Sequence, residues 1–328
     1  MSSFFISAPA RIHMNLLSMG YDGYRKNGGI GFSVSGCDTV FECAPFSVNI
    51  VSDMRGLDFL NSNDLKVLGE YLDRLCETFN FKVKLQISIL EGPKAHSGLG
   101  VGTTTKLAIA EALLLVNECK YGVDDVIKLS GRGGTSGIGI NTYFSGGFIL
   151  DGGVQIDDEP FGPSASKERS IFPLPQVLIK TKMPAAWTIG LLQVSTGKAI
   201  SGQSEREFFS NNTPINRSAM EAACYQAVMG VSASVIEGDY STFSKSINAI
   251  QNLAWKKAEW ECQSAIVSDA RDWLISNQAE SVGLSSFGPS LYFTHDTPEK
   301  ILAHSDTPID WKLKLVVPNN LGRVISYV

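Results

Sequence analysis

Three glycines at alternate positions, Gly98, Gly100 and Gly102, stand directly before a run of threonines and apolar residues. Glycine adopts positive φ readily and lets the backbone approach a ligand closely. Thr103 and Thr104 would then occupy the first turn of a helix, where unpaired N–H groups and the positive end of the helix dipole face one point. Such a helix end binds phosphate. In the simpler alternative, the glycines only form a turn that caps the helix.

The known nucleotide fingerprints do not fit this turn. The chain has no GxxxxGK[ST] motif. GLGVG also lacks the third glycine of the dinucleotide motif and an acidic residue about twenty positions further on. The pattern therefore predicts an anion site and leaves the ligand open.

A second glycine-rich segment, GRGGTSGIGINTYFSGGFILDGG over residues 131–153, is nearly free of charge and is typical of strands and turns. Arg132 within it and Arg25 upstream are candidate anion partners, because a guanidinium matches a phosphate or carboxylate with two parallel hydrogen bonds. Either arginine could instead be a surface charge or an ion-pair partner. Asp151 is a turn residue before two glycines, and Mg²⁺ ligation through water is the alternative.

Two histidines lie beside these motifs. His13 follows Arg11 on the predicted first strand, and it is either a satisfied core or edge histidine or a group that orients an acceptor. His96 stands just before the glycine turn and is a candidate ligand contact.

Four segments resemble, in order and spacing, those of the β-ribofuranosylaminobenzene 5'-phosphate synthases. That family is a branch of the superfamily of galactokinase, homoserine kinase, mevalonate kinase and phosphomevalonate kinase. The segments are ARIHMNLLSMGYDGYRKNGGIG (10–31), GLGVGT (98–103), GRGGTSGIGINTYFSGGFILDGG (131–153) and SSFGPSLY (285–292). The resemblance extends from the N-terminus to beyond residue 290, and the third segment is its most specific part.

The resemblance implies an α+β, two-domain GHMP-kinase-like fold. Residues 1–160 would form an N-terminal domain like domain 2 of ribosomal protein S5, with the glycine-rich phosphate loop. Residues 161–328 would form a C-terminal ferredoxin-like α/β domain.

The resemblance also implies a decarboxylating, C–C bond-forming phosphoribosyl transfer. Phosphoribosyl pyrophosphate would be the donor, an aromatic or heteroaromatic acid the acceptor and Mg²⁺ the cofactor, with release of CO2 and pyrophosphate. The acceptor would be of the 4-aminobenzoate type, as in tetrahydromethanopterin biosynthesis, or of the pyrazole dicarboxylate type, as in C-nucleoside antibiotic biosynthesis.

The motif residues are then candidates for roles in that reaction. The candidate catalytic residues are Arg25, Asn27, His13 and Ser136. The candidate substrate-binding residues are His96, Gly98, Leu99, Gly100, Gly102, Thr103, Thr104, Arg132, Gly137, Ser285, Ser286 and Gly288. The metal ligands are not identified, with Asp151 as a weak candidate.

An ATP-dependent small-molecule kinase is the alternative function. Several kinases of the superfamily have SGxD where this chain has Ser136 to Gly139, and the aspartate serves as the base toward the accepting hydroxyl. Gly139 removes that carboxylate, which weakens the kinase interpretation without eliminating it. Ser18, Asn27 and Val154 depart from the family pattern, and Ser18 and Asn27 leave a catalytically silent ligand-binding protein as a third possibility. The same departures favour a changed acceptor.

The elements that must position these residues follow from hydrophobic periodicity. Strands are predicted at Phe4–Ala8, Val40–Val51, Phe81–Leu90, Trp187–Val194, Ser290–Thr294 and Lys312–Val317. Helices are predicted from a cap at Asp64 to Phe79, and at Thr103–Asn117, Asp124–Leu129, Arg217–Glu237 and Trp255–Asn277. The polar, proline-rich stretch from Asp157 to Pro175 predicts the domain boundary.

Composition excludes several classes of partner. With a net charge of −5 and no low-complexity tract, the chain gives no reason to expect nucleic acid or an anionic membrane as partner. Its six cysteines lack CxxC spacing, which favours reduced thiols in a cytoplasmic protein over a zinc site. We expect no signal peptide and no segment of the roughly 18 apolar residues that a membrane span needs. A homodimer is plausible by family analogy.

Overall fold

The structure, a computed structural model, describes residues 3–56, 59–163, 173–195, 200, 202–303 and 307–327. The strands are β1 Phe4–Ser18, β2 Arg25–Phe46, β3 Ile50–Asp53, β4 Lys84–Glu91, β5 Phe148–Asp151, β6 Val154–Gln155, β7 Val177–Thr181, β8 Ile189–Val194, β9 Ser281–Leu284, β10 Ser290–Thr294, β11 Trp311–Pro318 and β12 Val324–Tyr327. The helices are α1 Ser62–Thr78, α2 Val101–Val116, α3 Val123–Ser130, α4 Ile138–Ser145, α5 Gln203–Asn212, α6 Arg217–Tyr225, α7 Ala233–Glu237, α8 Tyr240–Gln251, α9 Ala254–Glu261, α10 Ala265–Ser276 and α11 Glu299–Leu302. A π-helical stretch, Gln226–Ser232, joins α6 to α7 without a break.

The sheet is built on the long antiparallel hairpin of β1 and β2, in which Phe4 is registered with Cys43 and Ser18 with Asn27. β12 pairs with the outer side of β1, and β11 connects β2 to β8, β10 and β9. β5 pairs with both β2 and β7. Strands that follow residue 160 are therefore hydrogen-bonded to strands that precede it. The boundary at residue 160 stays a prediction, and residues 164–172 of the proline-rich stretch lie outside the described residues.

The core consists of layers of helices against this sheet. α2 is buried on nearly all sides and packs with α1, α3 and α4 against β1, β2 and β4. The continuous helix of α6, the π-helical stretch and α7 packs with α8 over the other half of the sheet. A smaller aromatic cluster joins β1 to α5 and α9, and its members are Leu16, Met19, Phe161, Phe208, Phe209, Trp255 and Phe287.

Most predicted elements are present, with shifted ends. The strand predicted at Val40–Val51 is divided between β2 and β3, because the chain turns at residues 47–49. The helix cap predicted at Asp64 is wrong: Asn61 caps α1, and its side-chain Oδ1 accepts the N–H of Asp64 at 2.8 Å. The helix predicted at Trp255–Asn277 is broken into α9 and α10, and Ser264 is the N-cap residue of α10.

The glycine-dense segment contains a helix that the sequence did not predict. α4 spans Ile138–Ser145, where strands and turns were expected. Gly146 ends the helix with a φ of 62°. Within α4, Thr142 donates its hydroxyl to the carbonyl of Ile138, and the Tyr143 ring is buried. The packing of α4 stabilises the helix more than the low helix propensity of glycine destabilises it.

A buried carboxylate ties the C-terminal region to α2. Glu111 is fully buried and accepts hydrogen bonds from Arg323 Nη2 at 2.6 Å and Tyr143 OH at 2.7 Å, with Tyr121 OH at 3.2 Å. The network fixes the segment before β12 against the N-terminal half. A carboxylate at this depth is stable only because donors surround it.

Within the part of the chain that the structure describes, one helical stretch, Arg217–Glu237, is long and apolar enough to pass a length-and-composition test for membrane spans. Core helices of soluble proteins pass the same test. Ala223, Ala227, Val231 and Val235 of this stretch are buried against the sheet. The finding is therefore weak evidence for a span.

Candidate active site

A cavity of about 440 Å³ lies where the glycine turn, β1, α5 and α9 meet. Its walls carry Arg11 and His13 from β1, the turn at 98–103, and residues 132–136 before α4. The loop at 286–288 closes it from the C-terminal half. Both halves of the chain therefore form one site.

The glycines of the turn have distinct roles. Gly98 and Gly100 have φ values of 81° and 85°. A Cβ on Gly98 would lie 2.3 Å from the carbonyl oxygen of Ser285, and one on Gly100 would lie 2.7 Å from Cγ of Arg11. At Gly102, by contrast, a Cβ would have nothing within 4 Å. Its missing side chain leaves open space beside the first turn of α2, where backbone N–H groups lack helical acceptors.

Three cations, Arg11, Arg132 and Lys106, line the same cavity. Arg11 donates through Nη1 to the carbonyl of Gly98 at 3.0 Å, and Arg132 donates through Nη2 to the hydroxyl of Thr103 at 2.8 Å. The Nε atoms of both arginines are buried and have no hydrogen-bond partner among the described residues. Burial, and then the charge of Arg132, lowers the pKa of Arg11 to about 10 and that of Lys106 to about 8. A bound polyanion would relieve this repulsion and supply the missing acceptors.

A chain of polar groups runs from the cavity into the core. His13 Nε2 lies 3.2 Å from Ser136 Oγ, and that hydroxyl donates to Asp151 Oδ2 at 3.4 Å. Asp151 also accepts the N–H groups of Gly137 and Gly153 at 2.9 and 3.0 Å. Burial, with the charge of Arg11 next, lowers the pKa of His13 well below its usual value. The imidazole is therefore neutral at pH 7 and acts as a hydrogen-bonding group.

The loop at 285–288 is seated on the glycine turn. Ser285 donates its hydroxyl to the carbonyl of Gly98 at 2.8 Å and accepts the N–H of His13 at 3.2 Å. The N–H of Ser286 donates to the carbonyl of His13 at 2.9 Å. Residues 187 positions apart thus hold the turn in place.

The other lobe of the cavity is apolar and aromatic. Leu16, Phe209 and Phe287 line it. The ring of Phe209 lies 6.0 Å from that of Phe287 and 5.0 Å from that of Trp255, measured between centroids. This lobe fits a flat apolar ring, whereas the lobe at the glycine turn fits an anion.

Three carboxylates line the cavity, and they differ in their hydrogen-bond and ion-pair partners. Glu259 accepts Trp255 Nε1 at 2.7 Å and forms an ion pair with Lys256. Asp64 lies 3.7 Å from His96 Nε2. Glu205 receives no hydrogen bond and forms no ion pair within 4.0 Å among the described residues. Burial raises its pKa to about 7, against the opposing charges of Arg132 and Arg11.

The cavity brings together predicted residues from four parts of the chain. These are His13, His96, Gly98, Gly100, Gly102, Thr103, Arg132, Ser136, Ser286 and Gly288. Other predicted residues lie behind its walls, namely Leu99, Thr104, Gly137, Ser285 and Asp151. Asp151 is fully buried, and backbone N–H groups occupy both of its oxygens. It is therefore not placed to bind a metal ion in the cavity.

Arg25 and Asn27 are not brought to the cavity. The Arg25 guanidinium donates to the carbonyls of Gly152 and Gly153 at 2.6 and 2.8 Å. Asn27 has a φ of 66° and donates to the carbonyl of Gly134 at 3.0 Å. Both residues lie at the start of β2, outside the cavity. Arg25 supports the end of β5, and Asn27 supports the 133–136 loop.

Two other departures from the family pattern lie in the same supporting region. Ser18 donates its hydroxyl to the carbonyl of Arg25 at 2.5 Å, and Val154 pairs with Lys26 between β6 and β2.

Sequence reasoning missed several residues of the cavity. Arg11 was detectable, because it lies two residues before His13 on one strand and so shares its face. Glu205 and Glu259 come from α5 and α9 of the C-terminal half. They stand outside the recognised motifs, so only the three-dimensional packing reveals them.

Comparisons with known proteins identify the family. No protein-family model matches the chain. A β-ribofuranosylphenol 5'-phosphate synthase from Methanocaldococcus jannaschii is 31% identical over 307 residues, with 88% of each chain covered. The chain belongs to this family. The synthase of the same name from Methanothermobacter thermautotrophicus is 29% identical, covering 89% of this chain and 88% of that protein.

Solved structures confirm the GHMP-kinase-like fold. Homoserine kinase from Cytophaga hutchinsonii has a TM-score of 0.66 at 16% identity, with 99% of this chain and 98% of that chain covered. Mevalonate diphosphate decarboxylase from Staphylococcus aureus has a TM-score of 0.64 at 11% identity, covering 99% and 98%. At such identities the likeness shows the fold alone, whereas the synthases share the family.

The glycine at position 139 distinguishes this site from that of a kinase that has an aspartate base at the same place. A Cβ at this position would lie 3.3 Å from Thr103 Cγ2 and 3.8 Å from Arg11 Nε. A carboxylate there would point at the cationic lobe. This chain has no side chain at position 139, and the synthase relatives do not favour the kinase alternative.

Proposed function

We propose that this protein transfers the 5-phosphoribosyl group of phosphoribosyl pyrophosphate to a ring carbon of an aromatic carboxylic acid, with loss of CO2 and pyrophosphate. One observation supports this function best. A single cavity joins a cationic, glycine-lined lobe to an aromatic lobe, with no carboxylate at 139 to activate a hydroxyl nucleophile. The synthase name of the relatives agrees with this assignment.

The cationic lobe would hold the diphosphate as it leaves. Breaking the bond between ribose C1 and the diphosphate oxygen sends an electron pair to the leaving group, so negative charge grows there. Arg11, Arg132 and Lys106, with the N–H groups at the start of α2, lie where that charge would develop. Donors that are fixed before the reaction stabilise such a transition state with little reorganisation.

The aromatic lobe would position the acceptor. Its ring carbon bearing the carboxylate attacks ribose C1, and loss of CO2 then restores aromaticity. This step depends on the alignment of the two reactants. Phe209 and Phe287 supply a surface against which a ring can lie. The relatives are named for a phenol product, so we propose a hydroxybenzoate-type acceptor ahead of an aminobenzoate or a pyrazole dicarboxylate.

We propose Mg²⁺ as the cofactor because the donor carries a diphosphate group, and phosphate oxygens bind Mg²⁺. The described residues contain no group of three His, Cys, Asp or Glu side chains that could hold a metal ion. This fits a Mg²⁺ that is bound mainly by diphosphate oxygens and water, as Mg²⁺ with phosphate substrates commonly is. Asp64, on the cavity wall, is the residue that would complete its shell. When bound, the ion would neutralise charge on the leaving diphosphate.

We also propose a cytoplasmic location. Among the described residues all six cysteines are free thiols, which suits a reducing compartment.

The test is product analysis with purified protein. Incubation with phosphoribosyl pyrophosphate, Mg²⁺ and 4-hydroxybenzoate, 4-aminobenzoate or a pyrazole dicarboxylate should release CO2 and pyrophosphate in equal amounts. Mass spectrometry should detect a carbon-linked riboside phosphate. Formation of ADP and a phosphorylated small molecule from ATP, without pyrophosphate release from the donor, would contradict the proposal.

A further inference from the structure

We infer that Glu205 is a catalytic residue that takes the proton of the acceptor's ring hydroxyl while the opposite ring carbon attacks the ribose. This inference rests on the proposed function. Its basis is a carboxylate that lines the cavity on the same helix as Phe209 and within the electrostatic influence of Arg132 and Arg11.

The position of Glu205 on α5 carries the first part of the argument. Glu205 and Phe209 of α5 both line the cavity, at a spacing of four residues that places them on one helix face. Phe209 belongs to the aromatic lobe, so the carboxylate of Glu205 lies about one turn from the surface on which a ring would rest. A polar substituent of that ring therefore falls within reach of Glu205.

The second part is the contrast with the other carboxylates of the cavity. Glu259 is occupied by Lys256 and Trp255, and Asp64 lies beside His96. Glu205 has no such partner in the part of the chain that the structure describes. A cavity-facing carboxylate without a donor is available to a ligand.

The charged groups around Glu205 come from several elements. They are Arg11 of β1, Arg132 before α4, Glu259 of α9 and Arg206 of its own helix. Burial raises the pKa of Glu205 to about 7, and the charges of Arg132, Arg11 and Arg206 oppose the shift. A base with a pKa near the working pH is suited to proton transfer in either direction.

The reaction balances with this single base. The ring hydroxyl gives its proton to Glu205, and its electron pair moves through the ring to the carbon that bears the carboxylate. That carbon bonds to ribose C1 as the bond to the diphosphate breaks. The C–COO⁻ bond then breaks, CO2 leaves, its electron pair restores the aromatic ring, and Glu205 returns the proton to the oxygen.

The experiment compares Glu205→Gln with wild type on two acceptors. With 4-hydroxybenzoate, kcat should fall by about 10²-fold or more, because a positioned base contributes that much. With 3,5-difluoro-4-hydroxybenzoate, whose hydroxyl is more acidic and is mostly ionised when both acceptors are assayed at about pH 8.5, the same substitution should cost only a few-fold. The rise of wild-type kcat with pH through about 7 should disappear in the variant.

Two controls separate a base from a structural or donor-binding role. Glu207→Gln changes an exposed carboxylate of the same helix, which bonds only Gln203 at 2.8 Å among the described residues, and should leave kcat unchanged. Calorimetry should show that Glu205→Gln binds phosphoribosyl pyrophosphate and Mg²⁺ as wild type does.

Equal losses on both acceptors, or a loss of donor binding in calorimetry, would overturn the role of Glu205. If the wild-type protein forms no carbon-linked product from any acceptor, the proposed function itself is wrong.

Discussion

At the scale of single residues, the site depends on where side chains are missing as much as on where they are present. Gly98 and Gly100 are required by backbone geometry, so a larger residue at either would disturb the turn and the ligand together. Gly102 has ordinary helical surroundings and open space where a Cβ would stand. It is therefore the position at which ligand binding can be tested separately from folding.

We predict that Gly102→Leu abolishes binding of phosphoribosyl pyrophosphate while the protein stays folded. The leucine side chain would fill the space beside the first turn of α2. Leucine is also a better helix former than glycine by about 1 kcal/mol, so the melting temperature should hold or rise. Calorimetry and thermal unfolding measure the two effects. Gly69→Leu, at a position of α1 that is equally open but outside the cavity wall, should leave binding intact. Undiminished binding by Gly102→Leu would refute the placement of the donor.

His13 gives a prediction about pH. Burial and nearby cations hold its pKa in the folded state well below the usual value of 6.5, while the unfolded chain protonates normally. The unfolded state therefore binds more protons below about pH 6.5, and stability falls as pH decreases through that range. Urea denaturation at pH 7.5 and 5.5 should show a smaller loss of stability for His13→Gln than for wild type. Identical losses would show that His13 is charged in the folded protein.

At the scale of secondary-structure elements, sequence patterns located most of the helices and strands but not their ends. Long periodic segments such as α2 and the continuous helix at 217–237 were predictable because their apolar faces are extensive. α4 was not, because the glycines in and around it suggest a turn, and its helical form depends on packing against α2 and the sheet. The break between α9 and α10 falls just before Ser264, which occupies the N-cap position of α10, and hydrophobic periodicity does not reveal it.

The buried Glu111 network gives a prediction at this scale. Arg323→Met should lower the free energy of unfolding by about 3–5 kcal/mol, because it removes the cation from a fully buried carboxylate. The double variant Glu111→Leu, Arg323→Met should recover much of that loss, since no buried charge remains. Chemical denaturation measures both. Arg217→Met, which breaks an exposed pair with Glu221, serves as the control and should have no measurable effect. A single variant as stable as wild type would show that the network contributes little.

At the scale of the whole molecule, strands on the two sides of the predicted domain boundary pair with one another in the sheet. β1 pairs with β12, β2 with β11, and β5 with β7, and each pairing joins a strand before residue 160 to one after it. Sequence motifs predicted the family and the phosphate-binding turn, because glycine positions are encoded locally. They could not show that Ser285 holds Gly98, since contacts between distant residues leave no local pattern.

We predict that residues 1–160 and 161–328 do not fold when produced separately. Each half would expose strand edges that the other half covers. Circular dichroism and size-exclusion chromatography should show unfolded or aggregated chains, and co-expression should restore a 1:1 complex. Cooperative unfolding of either half alone would support independent domains.

The contact of the 285–288 loop with the glycine turn bears on the protein's synthesis. A ribosome makes the turn early, yet the hydroxyl that steadies Gly98 is translated 187 residues later. An incomplete chain thus contains the glycine turn but lacks the Ser285 hydroxyl that holds the turn in place. Prematurely terminated chains would therefore not consume the cell's phosphoribosyl pyrophosphate.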